Sequence, residues 1–183
     1  MHGAYQALQG LWLAPWLADV AGLGRSAVAN HLLAGSVAYG VGSVIFGTLA
    51  DRMAVAGLSR LAAFKFGMGI AISAFFALVA GARDAALVIM VLYGFGACAA
   101  ALPYAILSQH FPPQLTGRVI TAMNVFMFFA SFAFQWGIGA VLRFWPAVDG
   151  RYPAEGYAVA LGIAGLLQLA SVAWLMPMKE VPR

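Results

Sequence analysis

Residues 26–50 read SAVANHLLAGSVAYGVGSVIFGTLA, a stretch without a single Asp, Glu, Lys or Arg. A helix needs about 20 mainly apolar residues to cross the hydrocarbon core of a bilayer, and this segment supplies them. It does not stand alone. Further charge-free stretches fall at 1–18, 66–82, 85–117, 119–142 and 156–178. The stretch 85–117 contains a loop, because Pro112 and Pro113 end any helix there. The pattern predicts helices near 4–20, 28–50, 61–81, 85–108, 117–142 and 156–177. Residues 1–183 then form one all-α domain, a bundle of six transmembrane helices. Helices rather than strands follow from segment length and from the absence of backbone partners in lipid.

Composition supports the same solvent. Of 183 residues, 63% are hydrophobic and 9% charged, with mean hydropathy +0.89. A soluble domain is roughly half apolar and about a quarter charged. A soluble fold of this size could not bury so much apolar surface. The formal charge of +4 and pI near 9.6 do not indicate nucleic acid, because the ten Lys and Arg residues are scattered between apolar segments. The single cysteine, Cys98, excludes an internal disulfide and lies among Gly and Ala as a small packing residue. The first residues lack Lys or Arg ahead of the apolar run, and Trp12, Pro15 and Trp16 interrupt it, unlike a signal peptide.

The connections orient the bundle. Arg52, Arg60, Lys65, Arg118, Lys179 and Arg183 fall on one side, and Arg25, Arg83, Arg143 and Arg151 on the other. The excess assigns the first side, with both termini, to the cytoplasm. Trp145, Tyr152 and Tyr157 fit an outer aromatic belt, and Trp174 an inner one.

Polar residues at membrane depth separate the helices by role. At 100° per residue, Tyr5, Gln9, Trp12 and Trp16 share an arc of about 60° on the first helix. On the fifth, Thr121, Asn124, Ser131 and Gln135 share about 80°. The second aligns Ser36, Tyr39 and Ser43, and the fourth Tyr93, Tyr104 and Ser108. The third offers only Ser73, and the sixth only Gln168 and Ser171. Helices one, two, four and five are therefore expected to face a central pathway, and three and six to face lipid. Each such residue can also serve as interhelical glue. Small residues on the second helix, in pairs such as Ser36/Gly40 and Ser43/Gly47, allow close packing.

The second helix ends in GTLADR at 47–52. This resembles the loop signature of the major facilitator superfamily, which links the second and third helices of each six-helix half on the cytoplasmic side. QGLWLAPWLADVAGL at 9–23 and FPPQLTGRVITAMN at 111–124 are similar to segments of permeases in that superfamily. The resemblance spans the whole chain and implies the C-terminal half of a twelve-helix transporter of the bacterial inner membrane, built as a 3+3 inverted repeat. It implies that the third and sixth helices are peripheral. It also implies a small-solute pathway lined by Gln9, Trp12, Trp16, Tyr39, Tyr93, Asn124, Ser131 and Gln135. Gly47, Asp51, Arg52 and Arg118 would form the gating loop, with Asp51 engaging the start of the fifth helix in one conformation. The chain departs from the signature after Arg52, where Met53, Ala54, Val55 and Ala56 replace the usual Gly and basic residues. One half presents one wall of a midplane site, so a second six-helix half is expected, from the same chain or another.

Other classes fit less well. His2, His31 and His110 are dispersed, no HExxH occurs, and Ser36 lies about 140° from His31 around a helix. No catalytic residue, metal or cofactor is expected. The alternative is a sensor or assembly partner of the same fold without transport. No acidic residue lies deep in a helix; Asp19, Asp51, Asp84, Asp149, Glu155 and Glu180 all fall near ends.

Overall fold

The computed structural model describes residues 1–177, and the cations expected at Lys179 and Arg183, with Glu180, lie outside the described residues. Six helical segments run in sequence, and five of them are long and apolar enough to cross a membrane. The architecture is that of an all-helical integral membrane protein. The first helix spans residues 2–19, as His2–Ala7, a π-helical Leu8–Trp12 and Leu13–Asp19. It is the one that misses the apolar criterion, because Gln6, Gln9 and its tryptophans dilute it. The second helix is Arg25–Val55 and the third Arg60–Val79. The fourth covers residues 83–110, with 3-10 turns at Arg83–Ala85 and Cys98–Ala101. The fifth is Pro113–Leu142 and the sixth Ala154–Leu175.

Local chemistry sets these limits. The second helix outlasts the expected 28–50 because nothing in Asp51–Val55 stops it until Gly57. There φ is +73°, with Leu58 N donating to Met53 O and Gly57 N to Ala54 O. The third closes in the same way at Gly81, where φ is +79°. Only glycine takes this left-handed position without steric cost. Ser59 caps the third helix by accepting from Leu61 N at 3.1 Å. The fifth starts at Pro113, four residues earlier than expected, because proline is well suited to the first helical position.

Packing is carried by small residues. A Cβ on Gly94 of the fourth helix would collide with the Gly35 carbonyl oxygen of the second. A Cβ on Gly96 would lie 2.5 Å from Gly67 O of the third helix. Gly3 brings the first helix onto the fifth, where its Cβ would stand 2.8 Å from Ser131 N. Such approaches let backbones touch, which is how helices associate in lipid without a hydrophobic drive.

Burial divides each helix into faces. The third helix, expected to face lipid, packs its inner face through Ala63, Phe64, Gly67, Met68, Ala71, Ala74, Phe75 and Leu78, while Phe66 on the other face is 63% exposed. The fifth, with the richest polar stripe, buries only Ser131, Ile138 and Leu142. Polar content does not index burial where Gly and Ala make the contacts. Tyr157, assigned to the outer belt, is fully buried, whereas Trp174 is 76% exposed.

Candidate functional site

The first helix is held between the second and the fifth by two side chains from its π segment. Gln9 Nε2 donates to Leu32 O and to Ser36 Oγ, both at 3.1 Å. Trp12 Nε1 donates to Gln135 O at 3.1 Å, and its ring packs on Gly139. The π turn has a local cause. Pro15 cannot donate to the carbonyl of Leu11, and its ring crowds that carbonyl, so the preceding turn widens. The widening leaves Gly10 and Leu11 on an exposed strip with Gln6. Such π turns concentrate at functional sites.

A run of aromatic rings flanks this segment. Tyr5 stacks on Tyr39 of the second helix at 4.8 Å, and lies 5.4 Å from Tyr93 of the fourth. Tyr93 in turn contacts Phe75 of the third at 5.6 Å. The Tyr93 hydroxyl is buried with no hydrogen-bond partner. His2 meets Tyr104 edge-on at 6.0 Å.

The expected lining residues therefore divide. Gln9, Trp12, Tyr39, Asn124 and Gln135 are half-buried; one hydrogen bond joins Trp12 to the backbone of Gln135, whereas Gln9 bonds to Leu32 and Ser36 of the second helix. Trp16 and Tyr93, each 2% exposed, and Ser131 sit inside the bundle instead of on an open face. Helical phase explains the split. The stripes on the first and fifth helices face each other across Gly3 and Gly139, so part of each is consumed in mutual packing. Gln6 was missed because it lies outside the Tyr5–Trp16 arc; its signal is its place two residues before the π segment at Leu8–Trp12.

At the Arg52 end, Asp51 approaches Arg60 at 4.0 Å, with the Asp51 side chain 80% exposed. Among the described residues no contact joins Asp51 to the start of the fifth helix, and Arg52 and Arg118 are exposed. Gly47 was expected at a tight helix contact, but no neighbour lies near it. At the other end, Asp19 accepts from Tyr157 Oη at 2.8 Å and from Tyr152 N at 3.3 Å. This clasp joins the first helix to the start of the sixth. A carboxylate at a helix C-terminus is disfavoured by the dipole, and that misplacement was its signal in the sequence.

Compared with family models, characterised proteins and solved structures, the chain matches none.

Proposed function

We propose that the chain is one six-helix half of a major-facilitator-type secondary transporter, moving a small polar solute by alternating access. The observation that carries this reading is the placement of the two interrupted helices. The first is broken by a π segment at Leu8–Trp12 with Pro15 after it, and the fourth by a 3-10 turn at Cys98–Ala101 with Pro103 after it. They hold the same position in the two successive triplets of helices. Interrupted helices at matching positions of two repeats mark the solute site in secondary transporters.

Neighbour relations support an internal repeat. Exchanging helices one, two and three for four, five and six turns the two–four pair into five–one, and the two–three pair into five–six. All four pairs pack, and the three–six pair, which maps onto itself, also packs, while the extensive three–four pair maps onto six–one, which meets at the Asp19–Tyr157 clasp. In this reading Gln6, Gln9, Gly10 and Tyr39 form part of one wall, with Asn124 and Gln135 beside it. The second half supplies the opposite wall, and GTLADR lies on the cytoplasmic side of a bacterial inner membrane. Asp51 exchanges Arg60 for the fifth-helix start as the halves rock.

The test is solute flux into proteoliposomes holding the intact transporter, with wild type against Gln9→Leu. Flux that falls in the variant supports the reading. Solute binding without flux in the wild type would replace it with the sensor or assembly partner.

A further inference from the structure

The polar groups of the first-helix wall have fixed directions, and those directions select a class of solute. The Leu32 carbonyl can only accept, so the Gln9 amide atom facing it at 3.1 Å is the nitrogen. The second N–H of that nitrogen goes to Ser36 Oγ, also at 3.1 Å. Both amide donors are thus spent between the first and second helices. Gln9 Oε1 has no partner among the described residues and is left as an acceptor. Ser36 Oγ, which is exposed, sends its own proton to Leu32 O at 2.9 Å and keeps one lone pair.

The neighbouring groups repeat this polarity. Ser43 Oγ donates to Tyr39 O at 2.8 Å and Thr121 Oγ1 to Gly117 O at 2.9 Å, so these hydroxyls also turn lone pairs outward. The Trp12 indole N–H is spent on Gln135 O, and Trp136 lies about 120° around the fifth helix from Asn124. Gln6, Tyr39, Asn124 and Gln135 can donate or accept, so they leave the balance unchanged. Residues 1–18, 26–50 and 119–142 hold no Asp, Glu, Lys or Arg. A carboxylate or phosphate would bring acceptors to Gln9 Oε1 with no cation on this wall to offset them, which is costly at low dielectric. An ammonium group brings three N–H donors and no acceptor. The half-buried ring of Tyr39, on one stripe with Ser36, adds an aromatic surface that attracts cations.

Taking the first-helix wall as the solute site of a transporter, as above, we propose that the solute carries a protonated amino group whose N–H bonds go to Gln9 Oε1 and Ser36 Oγ. Gln9 is then two-sided. Its nitrogen ties the first helix to the second, and its oxygen reads the solute.

The test is calorimetric titration of the intact transporter in nanodiscs, with empty nanodiscs subtracted. Three probes of similar shape are compared: 2-phenylethylammonium, 2-phenylethanol and 3-phenylpropionate. The ammonium should bind saturably and roughly tenfold tighter than the alcohol or the carboxylate. Gln9→Leu and Ser36→Ala should each lower its affinity roughly tenfold, the weight of one hydrogen bond to a charged group. Ser36→Ala removes one exposed hydroxyl from a helix and should fold, which keeps the test decisive if Gln9→Leu does not. Absence of saturable ammonium binding, equal or tighter binding of either other probe, or an unchanged ammonium affinity in either folded variant overturns the proposal. Flux into proteoliposomes separates it from the transport reading. Ammonium binding without flux removes transport and keeps the amine site, whereas flux of the carboxylate without ammonium binding keeps transport and removes the amine site.

Discussion

Replacing Gly94 by Ala tests the tightest glycine approach among the described residues. The new Cβ would overlap the Gly35 carbonyl oxygen and stand 2.9 Å from the Gly35 carbonyl carbon and 3.3 Å from its Cα. All three obstacles are backbone, so no rotamer change relieves them. The second and fourth helices must separate along their whole shared face, which includes Gly42 against Cys98 and Phe95. Overpacking typically costs about 1–3 kcal/mol, and an obstruction with no side-chain escape belongs at the upper end, about 3 kcal/mol. For a chain of this size that corresponds to a fall in unfolding midpoint of about 6–12 °C. Gly40→Ala is the control, on the facing second helix with nothing within 4 Å, and should be neutral or slightly stabilising. Thermal unfolding in one detergent, followed by tryptophan fluorescence, compares the two. If Gly94→Ala melts with Gly40→Ala, the second and fourth helices do not cross at glycines and the packing argument fails.

Tyr157→Phe should cost about 1.5–3 kcal/mol, because it removes one of the two bonds to the Asp19 carboxylate; an unchanged unfolding midpoint would show the clasp to be idle. Asp51→Asn should change stability by less than about 1 kcal/mol, since its ion pair is exposed and long. Its effect should appear in spin-label distances between the helix ends on the Asp51 side, and an unaltered distribution removes Asp51 from gating. Cysteines placed singly at Gln6 and Gln9 should react with a water-soluble maleimide, while those at Trp16 and Ser131 should not. Protection at Gln6 and Gln9 would leave the first helix without an aqueous face. Pro15→Ala restores the donor to the Leu11 carbonyl and should straighten the π turn. Flux equal to wild type in that variant would separate the interruption from function.

What the sequence determined by itself was the solvent and the division into helices. Gaps between charges, measured against bilayer thickness, place all six segments within a few residues of where they occur. This works because a buried charge in lipid is costly wherever the chain folds, so spacing alone constrains the spans. Glycine and proline set the ends through backbone geometry that is equally local, as at Gly57, Gly81 and Pro113. Which face of a helix meets which neighbour was decided only by tertiary structure. Ser131 and Trp16 share stripes with Gln135 and Gln9, yet they are buried, because Gly3 and Gly139 draw the first and fifth helices together. Polarity alone leaves the third helix without an inner face, and the structure supplies one, because its contacts run through Gly67 and Ala71. Asp19 and Tyr157 lie far apart in the chain and meet only when the first and sixth helices dock. Periodicity assigns a residue to a side of its own helix. Close backbone approach, an interaction between two helices at once, decides what that side touches.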